Sequence, residues 1–203
     1  MFATMKQINL LSTTLLSAVL VLGACSDEKD KKAAPAASTP AATTVSIPAI
    51  ASEAKGFTVG SPMSVRTVYV FFDAQCPHCA VLWQQARPLK SQAKFVWIPV
   101  GLLNAASKSQ GAALLAAADP AAAMDAHEAS ITAHQGGITA TGNLDAQKAA
   151  VESNTRLLTR LQFPGVPTIV AKHAVTGELV VKEGALPTAA LADALGLVAP
   201  AGS

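Results

Sequence analysis

The chain has 203 residues, of which 51% are apolar and only 4% aromatic, and its formal net charge is +2. This length suits one domain of ordinary size with additional segments, and the abundance of Ala predicts a light, helix-rich core. No basic run with interleaved aromatic residues occurs in the sequence, so nucleic acid is not expected as a partner.

The first residues predict an export signal. Lys6 precedes an apolar run that extends from about residue 8 to residue 22 and ends in small residues, which is typical of a secretory signal. An uncleaved membrane anchor is the alternative, but the run is shorter than the roughly 20 residues that a spanning helix needs. The sequence "LGAC", which ends at Cys25, resembles the bacterial lipobox. This resemblance implies a lipoprotein signal peptide at residues 1–24 and a lipid-modified Cys25 as the membrane anchor.

The segment that follows Cys25 has no apolar pattern typical of a helix or a strand. Residues 26–54 begin with a short charged cluster and continue with Ala, Pro, Thr and Ser without an apolar period. Such a composition cannot bury enough surface to offset the entropy of ordering. We therefore expect residues 25–54 to form the lipid-anchor cysteine with a flexible tether, and residues 55–203 to form the folded domain.

A strand and a helix follow each other directly. The run "VRTVYVFFD", from Val65 to Asp73, is apolar on both faces and predicts a central strand covered on each side. The segment "CPHCAVLWQQARPLKSQ" then has helical character, with Pro77 at the first helical position, where a missing N–H costs little. Pro88 is expected to kink or end this helix.

Two cysteines mark the start of that predicted helix. Cys76 is placed at the helix N-terminus, where the free N–H groups and the helix dipole lower a thiol pKa from about 8.5. His78 can add a positive charge or a donor to the same sulfur. Cys79 lies one turn further, on the buried side. An exposed, acidic thiol beside a shielded one predicts an attacking and a resolving cysteine for disulfide exchange.

Other uses of the two thiols are less well supported by the sequence. A structural disulfide would close a very short loop and add little stability. A structural zinc site needs a second ligand pair, and the sequence has no other CxxC; His127 and His134 are more readily explained as core or surface residues. Haem attachment requires a His after the second cysteine, where Ala80 stands. Binding of Cu(I) by the two soft thiolates remains an alternative.

Two stretches of the chain resemble a known family. The sequence "TVYVFFDAQCPHCAVLWQQARPL" resembles the active-site region of periplasmic thiol–disulfide interchange proteins of the thioredoxin fold, in particular the DsbC/DsbG branch and its DsbG-like members. A second stretch, "FPGVPTIV", matches the segment in which this family has a cis-proline facing the CxxC. The resemblance implies a cis Val166–Pro167 bond, and it implies that Val166, Pro167 and Thr168 bind the substrate beside Cys76.

The resemblance also implies the architecture. We expect an α/β protein of thioredoxin-like fold, with a helical insertion at about residues 104–162 between an N-terminal βαβ part and a C-terminal ββα part. Within the insertion, Asp119–Pro120 reads as the start of one helix and residues 144–161 as another. A hairpin from Pro167 and a closing helix at residues 187–197 complete the expected order.

The chain departs from the pattern of this branch at two points. The DsbC/DsbG branch has an N-terminal dimerisation domain, and the low-complexity tether stands in its place, which disfavours isomerase activity and is compatible with a monomer. The dipeptide between the cysteines, Pro77-His78, is that of DsbA-type oxidases, in which the histidine stabilises the thiolate. At another position the chain agrees with the branch: thioredoxin and DsbA have a buried acid six residues before the first cysteine, whereas this chain has Val70, as the DsbC/DsbG branch does. Proton transfer to Cys79 would then need another base or water, since we expect Asp73 to have a capping role.

These features together predict a thiol–disulfide oxidoreductase of the bacterial periplasm, tethered by lipid to a membrane, with the outer membrane favoured. Cysteine-containing envelope proteins are the expected clients, and a membrane protein of the DsbB or DsbD type is the expected redox partner. Neither a cofactor nor a metal is expected. A copper-binding metallochaperone that uses the same dithiol and a non-catalytic client-binding holdase are the alternative functions.

Overall fold

The computed structural model describes residues 45–201. The predicted signal peptide, Cys25 and the greater part of the predicted tether lie outside these residues. In chain order, the elements are α1 (Ile47–Glu53), β1 (Phe57–Gly60), β2 (Thr67–Asp73), α2 (Pro77–Ala86), β3 (Lys94–Val100), α3 (Ala105–Ala116), α4 (Pro120–Thr132), α5 (Asp145–Arg160), β4 (Thr168–Lys172), β5 (Leu179–Glu183) and α6 (Thr188–Leu195).

The strands form one five-stranded sheet in the order β1-β3-β2-β4-β5. Strand β2 pairs parallel with β3 and antiparallel with β4, while β1 and β5 are antiparallel edge strands. At the centre, Val70 lies opposite both Trp97 and Ile169. The expected central strand and the mixed α/β architecture are thereby confirmed.

The sheet separates two hydrophobic cores, because successive side chains of a strand point to opposite faces. Phe72 and Trp97 belong to the core that α2, α4 and α6 cover. Phe71 and Ile98, their neighbours in sequence, belong to the core beneath α1 and α5. All four side chains are at most 1% exposed, so the apolar run in β2 is explained by burial on both faces.

The predicted helical insertion contains three helices, α3 to α5, between β3 and β4. The side chain of Asn104 caps α3, together with Ser107 in a reciprocal capping box. The carboxylate of Asp119 accepts a hydrogen bond of 3.0 Å from the amide of Ala122, which confirms the predicted start of α4 at Asp119–Pro120.

Other predicted boundaries also agree with the structure. Helix α2 ends at Ala86, and a short 3₁₀ turn at Arg87–Leu89 accommodates Pro88. Strands β4 and β5 form the expected hairpin. Helix α6 ends at Gly196, whose φ of +66° is a backbone conformation that glycine adopts at little cost.

The folded part of the chain begins earlier than the sequence analysis placed it. The predicted tether extended to residue 54, but residues 47–53 form α1, and Ile50 is fully buried in the core shared with α5. Glu53 at the end of α1 also forms an ion pair with Arg160. A single buried side chain in a background of Ala, Ser and Pro carries no clear period, which explains why the pattern missed this helix.

Candidate active site

The two cysteines lie where β2 turns into α2. Cys76 occupies the N-cap position of α2 with an extended backbone (φ −95°, ψ 112°), and Pro77 takes the first helical turn as predicted. The amide of Cys76 donates to the carbonyl oxygen of Asp73 at 3.0 Å, and the amide of Cys79 donates to that of Cys76 at 3.0 Å. Both thiols are free, so the structure shows the reduced pair within one helical turn.

The exposure of Cys76 differs from the expectation. We expected an exposed thiol, but the residue is only 5% exposed, compared with 0% for Cys79. The Sγ atom of Cys76 lies 3.7 Å from the carbonyl oxygen of Val166, in the loop that precedes β4. Cys76 is therefore the more accessible residue of the pair, as predicted, but it is largely buried, and a distant part of the chain contacts its sulfur.

The sulfur of Cys76 is acidified, as predicted. Its pKa is lowered from 9.0 to about 7, chiefly by a hydrogen bond with the thiol of Cys79. Burial opposes this shift, while the backbone N–H groups of Cys79 and His78 and the charge of His78 support it. The partner thiol, rather than the helix start or His78, is thus the main source of the acidity.

The second thiol has the opposite character. The pKa of Cys79 is raised above its ordinary value, first by burial and then by the hydrogen bond and charge of the Cys76 sulfur. Cys79 therefore keeps its proton at neutral pH. The pair consists of one thiol ready to ionise and one that needs a base before it can attack.

We expect a titration of thiolate absorbance in the reduced protein to show a midpoint near pH 7 for Cys76. The Cys79→Ala variant should move this midpoint towards the free-cysteine value of about 8.5, because it removes the main hydrogen bond to the sulfur. The His78→Ala variant should move it less, and Cys76→Ser should lack the transition. A larger shift in His78→Ala than in Cys79→Ala would contradict this order of causes.

The loop before β4 faces the first cysteine. The Val166–Pro167 bond is cis, as the sequence led us to expect. A shallow groove on this loop is lined by Pro164, Gly165, Val166, Pro167, Glu183 and Gly184. The backbone of Val166 therefore lies both beside the Cys76 sulfur and along an open groove, which suits an extended peptide segment.

Thr168 is placed differently from its two neighbours. Its side chain is fully buried and donates a hydrogen bond of 2.7 Å to the carbonyl oxygen of Gly165. Its backbone pairs with Phe71 on one side and Glu183 on the other. The expectation of a direct substrate contact through Thr168 does not fit these contacts, since the residue supports the loop from within the sheet.

Asp73 has the capping role that we expected. One carboxylate oxygen accepts a hydrogen bond of 2.8 Å from the amide of Gln75. The other oxygen accepts from the amides of Leu102 at 2.7 Å and Leu103 at 3.1 Å. The fully buried carboxylate thus joins the turn before Cys76 to the segment that follows β3.

Contacts from the helical insertion reach the site, and the sequence analysis missed them. His127 is fully buried, and its Nε2 lies 2.6 Å from the carbonyl oxygen of Ala74 while its Nδ1 accepts from the amide of Ile138 at 3.1 Å. These partners require the tautomer that carries the proton on Nε2. The pKa of His127 is lowered by burial. The core role considered for His127 is confirmed, and His134 lies on the surface.

Glu128 is the second residue that the sequence analysis missed. It is 1% exposed, and neither carboxylate oxygen has a hydrogen-bond partner among the described residues. Its pKa is raised to about 8, first by burial and then by the charge of Cys76. The sequence did offer a signal for this residue: Glu128 lies four positions after Met124, on the same face of the predicted helix. Both side chains are buried in the structure.

Metal binding gains no further ligands from the fold. Among residues 45–201, no group of three or more His, Cys, Asp or Glu side chains is arranged to hold an ion.

Comparisons with known proteins agree with this site and fold. Over 65 residues, the chain is 43% identical to the thiol:disulfide interchange protein DsbG of Pseudomonas aeruginosa, and it has the same identity over 65 residues to DsbG of Escherichia coli. The matched stretch is 31% of this chain but only 25% and 26% of those proteins. The DsbG-like resemblance is thus confirmed for about a quarter of the length of these relatives.

Solved structures show the same fold at low sequence identity. The catalytic domain of Proteus mirabilis ScsC aligns with a TM-score of 0.56 and 19% identity, over 73% of this chain and 96% of that one. The thiol-disulfide exchange protein alpha-DsbA2 of Wolbachia pipientis aligns with a TM-score of 0.57 and 18% identity, over 70% of this chain and 86% of that one. The family model described as "Thioredoxin" matches residues 52–161, more than half of the chain. With this match and the thioredoxin-like fold, the chain belongs to the thioredoxin family.

Proposed function

We propose that the protein is a thiol–disulfide oxidoreductase of the bacterial envelope that exchanges disulfides with cysteine-containing client proteins. The observation that carries this proposal is the pair of unlike thiols beside the cis-proline loop. Cys76 ionises near neutral pH, Cys79 is buried and protonated, and the carbonyl oxygen of Val166 lies 3.7 Å from the Cys76 sulfur. The local identity to two proteins named thiol:disulfide interchange protein supports it.

The proposed reaction has two steps. The Cys76 thiolate attacks one sulfur of a client disulfide, a bond forms between Cys76 and the client, and the other client sulfur leaves as a thiolate. Cys79 then loses its proton and attacks the Sγ of Cys76. The bond to the client breaks, its second sulfur leaves as a thiolate, and the Cys76–Cys79 disulfide forms. The client gains the two electrons that the chain loses, and the reverse sequence oxidises a client dithiol.

The neighbouring residues have supporting roles in this proposal. Pro77 starts the helix that carries both thiols, and the charge of His78 contributes to the acidity of Cys76. Val166 and Pro167 dock the client backbone next to the reacting sulfur, along the groove that they line. The acidity of Cys76 favours its role as the leaving and attacking group, since a low-pKa thiolate forms and departs readily.

Location and redox partner are part of the same proposal. Export through the signal at residues 1–24 and lipid attachment at Cys25 would hold the domain at a membrane surface of the envelope. Within residues 45–201, no helix is long and apolar enough to cross a bilayer. A membrane protein of the DsbB or DsbD type would reset the redox state of the two thiols after each exchange.

The proposal is tested by trapping the intermediate. The Cys79→Ser variant of the full chain, incubated with a disulfide-containing client, should accumulate a mixed disulfide visible by non-reducing electrophoresis, because the resolving thiol is missing. The Cys76→Ser variant should form none, since its remaining thiol is fully buried and protonated. Wild-type protein should show only a transient adduct.

The double Cys76→Ser, Cys79→Ser variant is the matched control and also separates the alternative functions. Aggregation suppression that survives in this variant, without adducts in any protein, would replace the proposal by the holdase. Stoichiometric Cu(I) binding by the wild-type dithiol without mixed-disulfide formation would replace it by the metallochaperone. An adduct that forms equally well on Cys76→Ser and Cys79→Ser would contradict the assigned roles.

A further inference from the structure

Resolution of the mixed disulfide requires a proton acceptor near Cys79, and the strand that precedes the cysteines offers none. Val70 of β2 is apolar and 1% exposed in the core that α2 and α4 cover. The nearest acid of that strand, Asp73, is fully engaged by three backbone amides. The acceptor must therefore come from another element.

Helix α4 brings an acid to the two thiols. Its Asp125 accepts a hydrogen bond of 2.8 Å from the indole of Trp83, one turn after Cys79 on α2. Its His127 contacts the carbonyl of Ala74, just before the cysteines, at 2.6 Å. Asp125 thus lies beside Trp83, and His127, two residues later, lies beside the turn that precedes Cys76, so α4 runs antiparallel to α2. Glu128, one turn beyond Asp125, is therefore placed at the level of the two thiols.

The carboxyl of Glu128 is buried and has no hydrogen-bond partner among residues 45–201. The residue is 1% exposed, and both carboxyl oxygens are inaccessible to solvent and lack hydrogen bonds within the described residues. Leaving a buried carboxyl unsatisfied costs free energy, so natural proteins rarely retain one without a use. This side chain is also coupled to the cysteines, because burial and then the charge of Cys76 raise its pKa.

The coupling extends to the second thiol. Burial is the main reason that the pKa of Cys79 is raised, and the charge of Glu128 adds to it. Helices α2 and α3 and strand β1 pack against α4. The titratable side chains of α2 are His78 and Cys79, and Arg87, which follows α2, pairs with Asp125. On α3, Lys108 pairs with Glu152 of α5. Strand β1 contributes no titratable residue.

We propose that Glu128 exchanges a proton with Cys79 during disulfide exchange. This assignment rests on the proposed function and deepens it. When Cys79 attacks the Sγ of Cys76 in the mixed disulfide, its thiol proton passes to the Glu128 carboxylate, the Cys76–Cys79 bond forms, and the client thiolate leaves. In the reverse direction, a client thiolate attacks Cys76, the bond to Cys79 breaks, and the Glu128 carboxylic acid returns the proton to the departing Cys79 sulfur.

The charge of the Cys76 sulfur determines at which step Glu128 can accept a proton. In the resting reduced protein, the Cys76 thiolate repels a charged carboxylate and helps to keep the proton on Glu128. In the mixed disulfide, the Cys76 sulfur is uncharged and this repulsion disappears, so the pKa of Glu128 falls, although burial still raises it. Glu128 then releases its proton to solvent more readily, and the carboxylate that accepts the Cys79 proton is favoured at the step in which Cys79 has to ionise.

The test separates the two steps in the full chain with oxidised glutathione as the disulfide. In wild-type protein, attack by Cys76 should give a glutathione adduct that Cys79 then resolves. In the Glu128→Gln variant, the attack should keep its rate to within about twofold, while resolution at neutral pH should slow by about 10-fold or more. Its rate should rise steadily with pH as hydroxide replaces the missing acceptor. Glu128→Asp should restore part of the rate, and Glu178→Gln, at an exposed carboxyl, should resemble wild type.

Each outcome decides the proposal. Resolution by Glu128→Gln at the wild-type rate from pH 6 to 9 would overturn the assignment of Glu128 while leaving the proposed function intact. Equal slowing of both steps, without a change in the pH profile, would assign Glu128 a merely structural role. A wild-type protein that forms neither a glutathione adduct nor the Cys76–Cys79 disulfide with oxidised glutathione would overturn the proposed function as well, and this result is obtained before any Glu128 variant is compared.

Discussion

Replacement of Asp73 by Ala is expected to lower the free energy of unfolding by about 2–4 kcal/mol. Its carboxylate is fully buried and accepts hydrogen bonds from the amides of Gln75, Leu102 and Leu103. The substitution would leave these three backbone donors without their charged acceptor at the same time. Unfolding by denaturant, followed through tryptophan fluorescence, measures the change.

Two variants bracket this effect. Asp73→Asn keeps one acceptor oxygen and should lose less stability than Asp73→Ala. Asp193→Ala removes an exposed carboxylate from α6 and should change the free energy of unfolding by no more than about 0.5 kcal/mol. If Asp73→Ala were no less stable than Asp193→Ala, water would be able to replace the carboxylate, and Asp73 would have no structural role in the turn before Cys76.

The stability of the Glu128→Gln variant should depend on pH less steeply than that of the wild-type protein. Burial, and after it the charge of Cys76, raises the folded-state pKa of Glu128 from 4.5 to about 8, so the folded protein binds a proton there that the unfolded chain has lost. Wild-type stability therefore falls as pH rises from about 4.5 towards 8. Between pH 5 and pH 7, the free energy of unfolding of the wild-type protein should fall by about 2–3 kcal/mol for this reason. The Glu128→Gln variant should lack this fall, because glutamine does not titrate.

The comparison is best made on the reduced proteins below pH 7, where Cys76 is mostly protonated. His127, whose pKa is lowered by burial, titrates in both proteins, so its contribution cancels from the difference. Near pH 4 the two proteins should have similar stabilities, because glutamine has the shape of the protonated acid. The Glu178→Gln variant, at an exposed carboxyl, should follow the wild-type curve. Parallel curves for wild type and Glu128→Gln would show that the Glu128 carboxyl is hydrated.

The local parts of the fold could be predicted from the sequence. The continuous apolar run of β2 and the helix start at Pro77 could both be predicted, because they depend on residues that are neighbours in sequence. The same is true of the Asp119 cap and of the end of α2 before Pro88. Resemblance to a family, rather than pattern, supplied the cis bond at Val166–Pro167.

The errors about the exposure of Cys76 and about Ile50 arose where distant segments meet. Cys76 was expected to be exposed, but the loop at Val166, 90 residues later, covers it. The acidity of Cys76 was predicted in direction but attributed first to the helix start and His78, whereas the thiol of Cys79 contributes most. Ile50 is buried against elements that the low-complexity composition around it gave no reason to expect.

Glu128 and His127 show the same limit within the site. A helix pattern can mark a polar residue on an apolar face, but it cannot say what that residue faces. Here the answer depends on the packing of α4 on α2, where Trp83 and Asp125 meet across 42 positions of sequence. Only the assembled fold brings this acid and the two thiols together.

The contact between His127 and the carbonyl of Ala74 has a further consequence for variation among related chains. It connects the segment with the reacting sulfurs to a helix encoded about fifty positions later. Substitutions in that helix can therefore alter reactivity while the dipeptide between the cysteines stays unchanged. Directed-evolution libraries confined to Pro77 and His78 would therefore leave the contribution of this helix unexplored.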